Sequence, residues 1–205
     1  MKYIIMCGGN YHSDIPKHLL TVKGEPIVAR TIRLLRNNGI TDISISATDD
    51  RFEQFGVPVL RHDNRYGDGG IWLDAFYPTT DPACYVFGDV VFSPAAIKTI
   101  VETDTKCIQF YASTPPFSNM YHKNWAEPFA FKVRDQEPFR KCIERTKEYG
   151  NQGKFHREPV SWELWQVIKG GPLDWIDYTN YQPINDYTCD VDYPSDLAQI
   201  ERWVE

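Results

Sequence analysis

Lys2-Tyr3-Ile4-Ile5-Met6-Cys7-Gly8-Gly9 is a short apolar run that stops on a glycine pair. Apolar side chains at consecutive positions predict a strand buried on both faces, the pattern of a central strand in a parallel sheet. Working outward, Ile27 to Asn37 spaces Ile27, Val28, Ile32, Leu34 and Leu35 as one helical face and stops at Asn37-Asn38-Gly39. Ile40 to Ala47, Val57 to Arg61 and Cys84 to Phe87 read as further strands, with a short helix over Gly70 to Phe76. Alternating strands and helices call for right-handed crossovers and a mostly parallel sheet with helices on both faces. Further on, Cys107 to Ala112 and Phe129 to Val133 read as strands. Asp135 to Tyr149, Ser161 to Lys169 and Ser195 to Val204 read as helices, the last opening after Pro194. Tyr149-Gly-Asn-Gln-Gly153 reads as a flexible joint, with too little chain beyond it for a second core.

The fold expected is therefore α/β, a Rossmann-like three-layer sandwich around a mostly parallel mixed sheet. At about 150 residues per domain, 205 residues predict one domain spanning 1–205. A net charge of −6 supplies no field for holding a nucleic-acid backbone, so an anionic ligand needs local devices. No apolar run approaches the ~20 residues of a membrane span, and the start lacks the regions of a secretory signal, so a cytoplasmic protein is expected. The five Cys (Cys7, Cys84, Cys107, Cys142, Cys189) are scattered and read as reduced thiols. Aromatic residues at 14% suit a large core and a partly aromatic cleft.

Three segments carry chemistry. In Cys7-Gly8-Gly9-Asn10-Tyr-His12-Ser-Asp14-Ile-Pro16-Lys17-His18-Leu19-Leu20, glycines at a strand end let backbone N–H groups approach an anion, and Lys17 adds a mobile cation. A tight turn with a surface lysine is the plainer reading. In Tyr85-Val-Phe-Gly88-Asp89-Val-Val-Phe92, Asp89 at a strand tip either coordinates a hard divalent cation or caps a turn. In Tyr187-Thr-Cys-Asp190-Val-Asp192-Tyr-Pro194-Ser-Asp196-Leu197, Asp190 and Asp192 share one face of an extended segment and repel unless a cation lies between them. Asp196 belongs to the first turn of the following helix.

Taken together and in this order, the segments resemble the nucleotidyltransferases of the glycosyltransferase-A-like fold, which activate sugar phosphates and related phosphorylated alcohols with a nucleoside triphosphate. The resemblance covers nearly the whole chain. It also draws on Gly24-Glu-Pro26-Ile27, on Arg33-Leu-Leu with Gly39-Ile-Thr-Asp-Ile43, and on the terminal Asp190-Val-Asp192-Tyr-Pro194-Ser-Asp196-Leu197. It implies that Cys7, Gly8, Gly9, Asn10 and His12 bind the triphosphate, that Lys17 neutralises phosphate charge, and that Asp89 and Asp190 hold Mg2+ as metal ligands. Lys17, Asp89 and Asp190 are then the catalytic set. Asn64, Gly69 and Gly70 fall where the family contacts base and ribose. Trp72 and Phe76 read as core residues.

Acceptor recognition falls to the region 107–185, with Lys123 and Glu127 as its candidates and His122, Lys154, His156, Arg157 and amphipathic Ser161-Trp-Glu-Leu-Trp165 beside them. The implied partners are a nucleoside triphosphate, CTP or UTP favoured, and a phosphorylated sugar, polyol or small alcohol, for a surface-glycan precursor. No nucleic acid or membrane partner is implied, and the chain is expected as a monomer or homodimer. The opening loop departs from the family pattern: it has no Arg after the glycines and carries Asp14. Two alternatives stay open. One is a glycosyltransferase of the same fold, with Asp190-Val-Asp192 as its Asp-x-Asp motif. The other is a nucleotide-binding relative of weak activity.

Overall fold

The computed structural model describes residues 1–8, 15–62, 71–114 and 126–204. Eleven strands and five α-helices alternate along them: β1 (Lys2–Cys7), β2 (Thr21–Val22), β3 (Glu25–Pro26), α1 (Ile27–Asn37), β4 (Ile43–Ala47), β5 (Val59–Arg61), β6 (Ala83–Phe87), β7 (Val90–Val91), α2 (Pro94–Glu102), β8 (Ile108–Ala112), β9 (Pro128–Val133), α3 (Gln136–Asn151), α4 (Ser161–Lys169), β10 (Gln182–Pro183), β11 (Cys189–Asp190) and α5 (Pro194–Ile200). Seven strands form one sheet in the order β10-β8-β9-β6-β1-β4-β5. Only β9 runs against the others, pairing antiparallel with β6 and β8. The mostly parallel mixed α/β sheet read from the sequence is present.

β1 lies at the centre, as its unbroken apolar run requires. Every residue of β4 and β6 on either side is buried, so both faces of the sheet are covered. On α1 the predicted stripe Ile27, Val28, Ile32, Leu34 and Leu35 is buried, and the chain turns at Gly39 with φ +78°, a conformation glycine adopts without strain. α1 packs with α2, and α3 with α4. An aromatic cluster built on Phe76, Tyr85, Phe110, Phe131 and Phe139 fills the core.

α2 is an addition to the sequence reading. Its signal is Ser93-Pro94: the Ser93 hydroxyl accepts the Ala96 N–H at 2.9 Å, and Pro94 takes the first turn. The other end is capped from outside. The ammonium of Lys132 on β9, a residue only 7% exposed, donates to the carbonyls of Ile100, Val101 and Thr103 at 2.9, 2.9 and 2.7 Å. These are the orphan acceptors of a helix C-terminus, where positive charge is favoured. Lys132→Met keeps the stem and removes the donors; it should cost about 2 kcal/mol, measured by urea unfolding.

Three sequence expectations are corrected. Residues 149–153 are not a joint: Tyr149 to Asn151 are the last residues of α3, and Gly153 N–H and Lys154 N–H close on Gly150 and Tyr149 carbonyls. The element expected after Gly70 is a 3-10 helix, Ile71–Ala75, and Gly70 itself lies outside the described residues. α5 ends at Ile200, and the chain turns so that Val204 is buried in a second, smaller core.

That second core explains why the motif segments travel together. It gathers Val22 and Ile27 from the segment after Lys17, Val91 from the segment after Asp89, and Cys189, Val191 and Ile200 from the terminal segment. Burial of each small strand pair depends on the others, which fixes their polar neighbours in space.

Candidate functional site

β1 and β6 are parallel neighbours, with Met6 opposite Phe87. From β1 the chain winds one way through β4 and β5, then returns to the other side as β6. The crevice outside the carboxyl ends of two such strands is where open α/β sheets bind ligands. Beyond those ends lie Gly8 and Gly88-Asp89. The Gly88 N–H donates to the Met6 carbonyl at 2.9 Å. A Cβ on Gly88 would stand 2.6 Å from both that carbonyl oxygen and Cys7 Sγ, so the two strand ends approach as closely as they do only because residue 88 is glycine.

Asp89 is met there by two other segments. The short helix Lys17–Leu19 brings Lys17 Nζ to 2.5 Å from Asp89 Oδ2 and 3.9 Å from Asp192 Oδ1. The ribbon of β7 and β11 pairs Val90 with Asp190, and Val191 N–H donates to the Asp89 carbonyl at 2.9 Å. Val191 is buried in the second core while Asp190 and Asp192 line the cleft, the alternation expected of an extended Asp-Val-Asp. Asp196, in the first turn of α5, accepts the N–H groups of Asp192 and Tyr193, both at 2.9 Å, and so sets the end of that segment.

The electrostatics follow from this crowding. Burial works against the Lys17 ammonium, but Asp89 at contact, with Asp190 and Asp192 behind it, holds its pKa above the usual lysine value. Burial likewise pushes the Asp89 carboxyl up, and the attraction of Lys17 outweighs it, so Asp89 stays ionised below the ordinary carboxylate range. The ammonium occupies the place of a cation among three carboxylates. Asp89 and Asp190 offer oxygen donors of the kind that suits a hard divalent cation, on adjacent backbone segments, and Lys17 is the cation at Asp89 in this arrangement.

His18, beside Lys17, is 1% exposed and stands edge-on to Phe52. Burial pushes its imidazole down to about 4. An unfolded chain takes that proton near pH 6.5. Between these values the unfolded state binds more protons, so stability falls as pH drops from about 6.5 to about 4 and is unaffected above that window. Melting curves should show a steeper acid decline for the wild type than for His18→Asn.

Two residues expected to touch substrate have buried side chains. Cys7 is 3% exposed, its thiol raised well above the usual range by burial and by Asp89; it packs under Gly88 instead of lining the cleft. Glu127, expected on the acceptor side, is fully buried and accepts the Asp190 N–H at 3.0 Å. With Cys189 and Asp190 it forms a group whose ligand atoms lie within 4.8 Å of one another. Its carboxylate thus fixes the backbone at Asp190. Gly9, Asn10, His12, Asn64, Gly69, Gly70 and Lys123, with His122, lie outside the described residues.

The cleft holds about 750 Å3. Beyond the carboxylates it is lined by Trp72, Phe87, His156, Arg157, Trp175 and Tyr178, among others. Phe76 is core, as read from the sequence; Trp72 packs edge-on against Phe76 and Phe87 and is also part of the cleft wall. Lys154 lies over the Tyr149 ring at 4.3 Å. α4 is buried from Ser161 to Gln166; Trp162 and Trp165 pack into the core, while Ser161, Trp162 and Glu163 also border the cleft. Sequence reasoning passed over Trp175, whose surroundings carry no periodic signal.

No family model matches the sequence, and none of the curated proteins does. Solved structures do match the fold. HddC from Yersinia pseudotuberculosis, complexed with GMP-PN, superposes with a TM-score of 0.57 at 15% identity, over 98% of this chain and 98% of its own. Inositol-1-phosphate CTP transferase from T. maritima superposes with a TM-score of 0.55 at 16% identity, over 100% of this chain and 97% of its own. At such identities the likeness speaks for architecture, and it runs end to end. The chain has the glycosyltransferase-A-like fold, shared end to end with these two structures.

Proposed function

We propose that the protein is a nucleotidyltransferase that moves a nucleoside monophosphate from a nucleoside triphosphate to a phosphorylated sugar, polyol or small alcohol, releasing pyrophosphate. The observation that carries this reading is the convergence of Lys17, Asp89, Asp190 and Asp192 on a cleft at the carboxyl ends of β1 and β6. Likeness to an inositol-1-phosphate CTP transferase and to HddC complexed with GMP-PN supports it at the level of fold.

Each residue has a task in that reaction. Two phosphates repel, so an acceptor phosphate oxygen reaches the α-phosphorus only when the charge between them is offset. Asp89 and Asp190 would hold Mg2+, which supplies that offset at the α-phosphate when bound. Lys17 gives up Asp89 and pairs with a phosphate of the triphosphate, exchanging one anionic partner for another. Glu127 holds the Asp190 backbone, and Asp196 that of Asp192, so the carboxylates are ordered before the ligand arrives. The cleft wall orients the acceptor for in-line attack. Gly8, Gly9 and Asn10 contribute backbone N–H groups to the phosphates in this scheme, and CTP or UTP serves as donor.

Pyrophosphate release from CTP, UTP, GTP and ATP, with and without Mg2+, against a panel of phosphorylated acceptors tests the proposal. Turnover that needs both Mg2+ and an acceptor supports it. A folded protein that binds none of the four triphosphates contradicts it.

A further inference from the structure

One wall of the cleft is built from α4 and the segment that follows it, apart from the motif segments. Gln166 Nε2 donates to the carbonyls of Pro172 and Trp175, both at 3.0 Å. Lys169 Nζ reaches Asp177 Oδ2 at 2.9 Å, and Trp165 Nε1 donates to the Thr179 carbonyl at 3.0 Å. Side chains of one buried helix thus fasten the backbone of residues 172–179 along its length.

What this strap presents is unusual for its setting. Trp175 is 59% exposed and lines the cleft, with Asp174 beside it in the same wall. A scattered exposed tryptophan needs no explanation, but this one is held on an anchored backbone at a concave site. Tyr178 of the strap stands edge-on to buried Trp162 at 4.8 Å, which fixes the next aromatic along. Arg157, from the same cleft, is gripped by the buried carboxylate of Glu163 at Nε (2.6 Å) and at Nη2 (3.4 Å), yet its side chain is 57% exposed. The solvent-facing remainder of the guanidinium is therefore held at a set angle in the cleft. An apolar platform flanked by a carboxylate and an ordered guanidinium suits a ligand with one C–H face and a rim of hydroxyls.

We infer that this wall selects a ring-form acceptor: the monophosphate of a cyclic sugar or cyclitol, its C–H face on the Trp175 indole, its hydroxyls on Asp174, and the Arg157 edge on the acceptor's oxygen atoms. An open-chain polyol phosphate has no rigid C–H face to lay on the indole and loses more freedom on binding. The inference rests on the nucleotidyltransferase reading for what the acceptor is used for, but the wall itself is testable without turnover.

Binding of hexopyranose 1-phosphates, inositol 1-phosphate and glycerol 3-phosphate is measured by calorimetry and by tryptophan fluorescence in the full chain, with wild type, Trp175→Ala and Trp175→Phe. At least one ring monophosphate should bind tenfold or more tightly than glycerol 3-phosphate. Trp175→Ala should abolish that preference and Trp175→Phe should largely restore it, with melting temperatures unchanged because residue 175 is exposed. In turnover, Trp175→Ala should raise the acceptor KM about tenfold and leave the triphosphate KM alone. Equal binding of ring and open-chain phosphates, no binding of any ring phosphate, or a ring preference that survives Trp175→Ala overturns the inference. Ring binding through Trp175 with no pyrophosphate release sustains it and counts against the nucleotidyltransferase reading alone.

Discussion

In the proposed reaction, Asp89→Asn should lower kcat/KM for Mg2+-dependent pyrophosphate release by about 10³-fold, the scale expected when a group that acts only on developing charge is removed. The variant keeps the shape of the side chain and therefore the close packing of Gly88 against Met6 and Cys7. What it loses is the negative charge that holds Lys17 at 2.5 Å and, in the proposed reaction, the cation. Asp190→Asn should cost a similar factor. The double variant should be little worse than either single one, because both carboxylates serve one ion and groups acting as a unit are not additive. A glycosyltransferase with Asp190-Val-Asp192 as its metal motif would instead need Asp192 as much as Asp190. Steady-state kinetics of Asp89→Asn, Asp190→Asn and Asp192→Asn, with circular dichroism to verify folding, separates the two.

Gly88→Ala has the second large effect, and it reaches both fold and site. The added Cβ meets a backbone carbonyl and a buried sulfur at 2.6 Å, and neither is the far end of a flexible chain. β1 and β6 sit at the middle of the sheet, each paired on both sides, so the strain has no free edge to relax into. Overpacking of this kind costs roughly 3 kcal/mol. Part of it relaxes by moving Asp89 off the Met6 end of β1, so turnover should fall more than tenfold even under conditions where the variant is folded. Urea unfolding gives the first number and kinetics at low temperature the second. A Cys7→Ala change in the same chain should return part of the stability, because it removes one of the two obstructing atoms.

The sequence made the frame legible where one local pattern decided the outcome. Tyr3 to Cys7 could only be a central strand, and Ile27 to Leu35 only a helix with one buried face. Asp89 and Asp190 stand out in the sequence because each follows or forms a strand tip in a recognisable order, and the structure brings both to one cleft. Residues whose work depends on distant chain were not legible. Glu127 lies 63 positions from the Asp190 N–H it accepts, and nothing near it in sequence marks it as a positioning group. Lys132 reads as a polar residue on a strand, yet it caps a helix that ends 30 residues earlier in chain order, at Glu102. Trp175 stands in Gly171-Pro-Leu-Asp-Trp-Ile-Asp-Tyr178, a stretch with neither helical nor strand period, and its role comes from the α4 side chains that hold it. The apparent joint after Tyr149 was misread because Gly150 and Gly153 look like loop residues. Gly150 is helical, with Pro159 packed where a side chain would be, and Gly153 takes the left-handed turn that ends the helix.

In the proposed reaction the carboxylates at the β1 and β6 ends hold a metal together with a triphosphate. Crystals grown with Mn2+ and a non-hydrolysable CTP or UTP analogue, measured at the manganese absorption edge, test it directly. The expected result is an anomalous peak at Asp89 and Asp190, the triphosphate against the β1 end, and Lys17 moved from Asp89 onto a phosphate. A triphosphate bound elsewhere, or bound in the cleft with Lys17 still on Asp89 and no metal at the two carboxylates, would contradict it.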